Sequence, residues 1–136
     1  MPAGYSKTSL VKKLGIKAGF KIFFANPPDN LQTLLGELPE NVTLLSQPIS
    51  PVDYIQLFTK SNEELQSQFP ILKETLATNG LFWISWPKKA AKVATDLDGN
   101  TVRDIGLQNG LVDVKVCAVD EIWSGLKFVY RLKDRQ

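Results

Sequence analysis

The sequence predicts one α/β domain over residues 1–136, with a mostly parallel open sheet of about six strands and helices on both faces. Three observations predict it. Short runs rich in β-branched and aromatic residues alternate with segments of helical period. The last strand-like segments follow one another across a tight turn, which reads as an antiparallel hairpin. The chain of 136 residues, 43% hydrophobic and 22% charged, has the size and composition of one globular unit with its own core.

The elements follow in order. Ser6-Lys-Thr-Ser9 starts a helix whose stripe is Leu10, Val11 and Leu14, and Gly15 suits the position after its end. After the turn Ala18-Gly19, Lys21–Asn26 is a buried first strand. Pro27-Pro28-Asp29 opens a helix carrying Leu31, Leu34, Leu35 and Leu38 at i, i+3, i+4 and i+7. Val42–Leu45 and Val52–Thr59 are the second and third strands. Only Gln47–Pro51 lies between them, a short link for a parallel crossover.

Ser61-Asn-Glu-Glu64 is a capping box. The helix it opens carries Leu65, Phe69, Leu72 and Leu76; Pro70 is expected to kink or divide it, and Asn79-Gly80 to end it. Leu81–Trp86 is the fourth strand. A loop over Pro87–Gly99 leads to a helix from about Thr101 to Asn109, closed by Gly110. The hairpin is Val112–Ile122 and Leu126–Leu132, joined at Trp123-Ser124-Gly125.

Composition removes several functions. The chain has no histidine and one cysteine, so a Ser–His or Cys–His pair and a histidine general base are excluded. A metal site would rest almost wholly on carboxylates, and none is assigned. A lone cysteine fits a reducing compartment, and a cytoplasmic location is expected. The apolar run Ile22–Ala25 is far too short to span a bilayer, and no membrane partner is expected. Residues 1–28 hold Lys7, Lys12, Lys13, Lys17 and Lys21 with no acid. They read as a solvated helix face, and the net charge of +2 argues against a nucleic-acid partner.

The order of elements resembles the core of class I, S-adenosylmethionine-dependent methyltransferases, a Rossmann-like fold. The segments that carry the resemblance are Lys12-Lys-Leu-Gly-Ile-Lys-Ala-Gly19 before the first strand, Pro51-Val-Asp-Tyr-Ile55 opening a central strand, Leu72–Gly80, and the closing hairpin. The chain also looks like a small uncharacterised bacterial family at Gly4-Tyr-Ser-Lys-Thr8, Ser85-Trp-Pro-Lys-Lys89, and Val112–Cys117 through Trp123–Phe128. That second resemblance brings no activity with it.

The methyltransferase resemblance implies a cofactor turn after the first strand, glycine-rich so that the backbone can approach. Here the turn is Asn26-Pro-Pro-Asp29, with two residues that lack an N–H. It also implies an acid at the end of the second strand to hold the ribose, where this chain has Ser46-Gln-Pro48. Both departures argue against S-adenosylmethionine in the familiar mode. The Asn-Pro-Pro triplet sits after the wrong strand to be the family's amino-group methylation motif.

Open α/β sheets bind ligands outside the carboxyl ends of their strands. That rule selects Asn26 and Asp29 after the first strand. It selects Trp86, Lys88, Lys89, Thr95 and Asp96 after the fourth, and Asp120, Glu121 and Trp123 near the hairpin turn. Lysines beside an indole suit a phosphate or carboxylate attached to a flat group. Asp120 and Glu121, if on a regular strand, point to opposite faces, so an acid/base pair needs a bulge or the strand's end to reunite them; the favoured reading is that at least one pairs with a lysine or caps the hairpin. Cys117 reads as a small buried hydrophobe, and Phe23, Phe24, Phe58, Phe82 and Trp83 as core. Tyr5 reads as a packing residue.

The functional expectation is a non-catalytic or regulatory binding domain that holds a small anionic ligand or a protein partner, with a homo-oligomer left open. The alternative is a methyl or other group transferase with an altered cofactor mode, centred on Asn26, Lys88, Lys89, Asp120 and Glu121. No catalytic residue is assigned.

Overall fold

The computed structural model describes residues 9–135. Tyr5, Lys7, the Gly4–Thr8 segment and the first residues of the expected helix start lie outside them. The elements are α1 (Leu10–Leu14), β1 (Lys21–Ala25), α2 (Leu31–Leu35), β2 (Thr43–Leu44), β3 (Val52–Phe58), α3 (Asn62–Lys73), β4 (Leu76–Pro87), α4 (Gly99–Gln108), β5 (Leu111–Ala118) and β6 (Trp123–Tyr130).

They form one six-stranded sheet in the order β2-β1-β3-β4-β6-β5. The first four strands of that order are mutually parallel, and β6 is antiparallel to both β4 and β5. The strand count, the terminal hairpin and the helices on both faces are as the sequence predicts.

Alternation along the strands divides the core in two. One face sets Ile55, Leu57, Phe82, Ile84, Leu126 and Phe128 against Leu65, Phe69 and Leu72 of α3 and Val102 and Ile105 of α4. The Phe69 ring lies 4.6 Å from Phe82 and 5.6 Å from Phe128, centroid to centroid. The other face sets Ile22, Tyr54, Phe58, Trp83, Cys117 and Trp123 against Val11 and Leu14 of α1 and Leu31 and Leu35 of α2. Polar groups on this second face are paired: Tyr54 Oη donates to Gln56 Oε1 at 2.7 Å, and Gln56 Nε2 donates to Ser85 Oγ at 2.9 Å, all three side chains buried.

Five expectations are corrected. α2 is only five residues long, because Gly36 leaves helical geometry with φ +67°, and Leu38 lies beyond it. Pro70 does not divide α3, which runs unbroken to Lys73: Pro70 sits in the last turn, and the burial of Leu65, Phe69 and Leu72 fixes the helix on both sides of it. Leu76 is not on that helix but starts β4, and Asn79-Gly80 falls inside β4. There the register slips, with Val52 opposite Leu76 and Tyr54 opposite Leu81. A Cβ on Gly80 would lie 2.7 Å from Leu76 Cδ1 and 2.9 Å from the Ala77 carbonyl oxygen, so the irregularity demands glycine.

The fourth correction concerns the hairpin. Its turn is Val119–Ile122, and Trp123-Ser124-Gly125 belongs to β6. The fifth is the helix before it, which starts at Gly99 with Asp98 as its cap rather than near Thr101.

The short link after the second strand also finds its explanation. β2 and β3 are not neighbours but flank β1. β2 stops at Leu44, level with Ile22, while β3 reaches that level at Tyr54. The chain therefore has only two strand spacings, about 10 Å, to cross, and needs no crossover helix.

Candidate functional site

β2, β1, β3 and β4 all end on one edge of the sheet, and the β5–β6 turn lies on the same edge. Chain order reverses at β1, which has β2 on one side and β3 on the other. The crevice at the carboxyl ends of β1 and β3 is thus the switch point where such sheets bind ligands. The groups that ring it are Asn26 after β1, Thr59-Lys60-Ser61 after β3, Pro87-Lys88-Lys89 after β4 and Asp120–Ile122 in the hairpin turn.

Asn26 is exposed and holds a left-handed backbone, φ +54°. Asparagine tolerates that region better than other side chains, so the tight turn is made without glycine. Pro27 and Pro28 then supply no N–H, and the Pro28 carbonyl accepts from Leu31 N at 3.1 Å. Between this turn, α2 and Leu44 runs a groove of about 760 Å³. Phe24, Pro27, Pro28, Leu31 and Leu44 are among its walls, and Asp29 is its one charged residue.

A second groove of about 590 Å³ lies beyond β4, between Trp86, Lys88 and Lys89 on one side and Thr95, Asp98 and Gly99 on the other. Trp86 is 7% exposed and packs in the α3/α4 core. The Lys88 amide donates to the Ile122 carbonyl at 2.7 Å, which seats the hairpin turn beside the lysine loop. Asn26 stands two strands away, at about 10 Å.

Three aspartates of this region are already engaged. Asp96 Oδ1 accepts from Asn62 N at 2.7 Å, at the start of α3. Asp98 Oδ1 accepts from Thr101 N at 2.8 Å, and that N–H holds its carboxyl below the usual carboxylate range. Asp120 Oδ1 accepts from both Ile122 N, at 2.8 Å, and Trp123 N, at 2.7 Å. Thr95 Oγ1 donates to the Lys60 carbonyl at 2.6 Å and accepts from Leu97 N at 3.1 Å, tying the loop over the end of β3.

The ten residues selected from the sequence therefore separate. The Lys88–Lys89 backbone is bonded to the turn that carries Asp120 and Glu121, Thr95 and Asp96 brace the loop above β3, and Asp29 lines the separate groove after Asn26. Asp120 and Glu121 lie in the turn, not on a strand, so facing by alternation does not apply to them. Trp123 leaves the edge altogether: it is 8% exposed, in the core against Phe58. Sequence reasoning missed Lys60, the exposed cation between the two grooves. The signal was its place just after the strand-forming run Val52–Phe58, at a strand's carboxyl end. Among the described residues no group of three acid or cysteine side chains is placed to hold a metal ion. Among them also, no helix is long and apolar enough to cross a membrane.

Solved structures share this architecture. Precorrin-6y C5,15-methyltransferase from Geobacter metallireducens matches with a TM-score of 0.61 at 9% identity, over 90% of this chain and 86% of that one. Magnesium protoporphyrin IX methyltransferase from Synechocystis, crystallised with bound S-adenosylmethionine, matches with a TM-score of 0.58 at 11% identity, over 90% and 74%. The chain has the fold of the S-adenosylmethionine-dependent methyltransferases. A methyltransferase of that class from Aquifex aeolicus covers 88% of this chain and 86% of its own at 15% identity, with a TM-score of 0.52. No protein-family model and no curated relative matches the sequence.

The residues present do not fit that cofactor in the mode the family resemblance implies. Pro27 and Pro28 remove two backbone donors from the turn where the cofactor would rest. Ser46 and Gln47 follow β2 where the ribose-holding acid would stand, and the groove's acid, Asp29, comes from the other strand.

Proposed function

We propose that this chain is a non-catalytic binding domain on a methyltransferase scaffold, which takes a small anionic ligand at the carboxyl edge of its sheet. One observation carries the reading. Asp96, Asp98 and Asp120 all accept backbone N–H groups, whereas Lys60, Lys88 and Lys89 belong to no ion pair among the described residues. The edge thus presents cations whose neighbouring aspartates are held by backbone N–H groups, beside a groove of small-molecule size. Glu121, exposed in the hairpin turn, has no hydrogen-bond partner among the described residues that would position it for proton transfer.

The second reading is a group transferase with an altered cofactor mode. It is favoured by the fold neighbours, one of them crystallised with S-adenosylmethionine, and by Asp29 in the groove after β1.

A thermal-shift titration separates the two. The panel is phosphate, citrate, adenosine monophosphate, S-adenosylmethionine and S-adenosylhomocysteine, on wild type and on Lys88→Ala/Lys89→Ala. A ligand at 100 times its Kd adds about 2.7 kcal/mol, on the order of 10 °C for a domain of this size. Shifts with the anions that vanish in the double variant uphold the binding domain. Shifts confined to the adenosyl compounds transfer the assignment to the second reading. A flat response to the whole panel defeats both and leaves a protein partner.

A further inference from the structure

The sheet face that carries α1 holds a second cluster of cations, away from the carboxyl edge. Lys115 of β5 stands directly opposite Lys127 of β6. Like charges in that position destabilise a hairpin, and no carboxylate pairs with either of them among the described residues. Lys115 Nζ donates to the Lys13 carbonyl at 2.7 Å, which draws its ammonium to the end of α1. The half-buried Lys127 lies with Nζ 5.8 Å from the centre of the Trp83 ring. Burial first, then the charges of Lys115 and Lys17, hold that ammonium below the usual lysine range. Lys17 follows α1 on the same side.

No acid answers these charges. Among the described residues the one ion pair is Arg103–Asp113, at 3.2 Å. Residues 1–8 contain Lys7 and neither Asp nor Glu, so they bring no carboxylate either. Lys88 lies five residues beyond Trp83, which pairs with Lys127, a separation of about 16 Å along β4. One small ligand therefore does not bridge the two groups.

We propose that Lys17, Lys115 and Lys127 form a binding site for a ligand bearing two or more phosphate groups. Anionic oxygens between the three ammonium groups replace like-charge repulsion with charge-assisted hydrogen bonds. The Lys13 carbonyl and the Trp83 ring hold two of the three cations in place for it. The site does not depend on the ligand taken at the carboxyl edge.

The test is a titration of the full chain with sodium tripolyphosphate, followed by NMR of the lysine ¹³Cε signals, with Lys127 assigned through Lys127→Met. Saturable shifts of Lys115 and Lys127 are expected, with the titration midpoint of Lys127 moving up towards the ordinary lysine range. Lys17→Gln, an exposed change that leaves the core intact, and Lys115→Gln each weaken binding about tenfold. In Lys88→Ala/Lys89→Ala the Lys115 and Lys127 shifts keep the same midpoint, whatever is lost at the edge, which separates this site from it. A parallel titration with a short single-stranded oligonucleotide identifies the source: binding lost in the same variants points to a nucleic-acid backbone, and binding of tripolyphosphate alone points to a free polyphosphate. The proposal is overturned if wild type shows no saturable shift at millimolar tripolyphosphate. Lys17→Gln and Lys115→Gln binding as tightly as wild type, or the 88/89 variant abolishing the Lys115 and Lys127 shifts, overturns it equally.

Discussion

Phe58 and Trp123 meet edge to face, with ring centroids 5.2 Å apart and planes at 88°. The contact joins the last residue of the central strand β3 to the first residue of β6, and so fixes the hairpin turn to the switch point of the sheet. Both rings are buried, at 1% and 8% exposure. Trp123→Ala removes the larger ring from a closed space and is expected to cost about 3–5 kcal/mol. A double-mutant cycle with Phe58→Leu should assign about 0.5–1.5 kcal/mol to the pair itself. Urea unfolding of the four proteins measures it, and strict additivity would show that the rings merely fill volume.

Gly106 lies in α4 against the Phe128 ring, and a Cβ placed there would come within 2.0 Å of Phe128 Cε1 and 2.4 Å of Cζ. Alanine is the better helix former by about 1 kcal/mol. Overpacking outweighs that gain: Phe128 is fully buried between α3, α4 and the sheet, and cannot move aside. Gly106→Ala is expected to lower stability by about 1–3 kcal/mol. Phe128→Leu in the Gly106→Ala background should lose less than it does in wild type. A melting temperature of Gly106→Ala at or above wild type refutes the close packing of α4 on β6.

Most of the sheet was legible because its strands announce themselves locally. Lys21–Ala25 and Val52–Phe58 are continuous β-forming runs, and Gly15 and Gly110 end their helices with the positive φ that glycine permits. What local signals missed was decided by tertiary packing. Pro70 and Asn79-Gly80 are breakers by composition, yet burial of Phe69 carries α3 past the first, and a distorted ladder with β3 absorbs the second. The rule about sheet polarity points to the carboxyl edge, but Trp86 and Trp123, both selected by it, pack into the core. The side-chain partners of the selected residues were not legible. That Asp96 would meet the amide of Asn62, thirty-four residues away, depends on how the loop after β4 folds over α3.

Asp120 offers a direct contrast between a structural and a binding role. Its Oδ1 accepts two N–H groups of the hairpin turn, which an asparagine oxygen also can do. Asp120→Ala is expected to cost about 1 kcal/mol, and Asp120→Asn only a few tenths. Neither should weaken anion binding at the carboxyl edge. If Asp120→Asn changes ligand affinity while leaving the melting temperature unmoved, the carboxylate charge belongs to the site.

Tyr54 should set the alkaline limit of stability. Its ring is fully buried, and burial first, with a smaller push from Cys117, raises its pKa well above the ordinary value of 10.0. The unfolded chain releases the phenol proton near pH 10, whereas the folded chain keeps it, bonded to Gln56. The folded state therefore binds more protons, and stability falls as pH rises from about 10 towards the folded pKa. Below pH 9 the contribution is constant. Lys127 acts in the opposite sense: its lowered pKa means that its buried charge is relieved as the pH climbs. Tyr54→Phe removes the first effect and leaves the second. Urea midpoints measured from pH 8 to 11 should thus drop more steeply in wild type than in Tyr54→Phe. Parallel curves for the two proteins would mean that the Tyr54 phenol ionises in the folded state as readily as in the unfolded one.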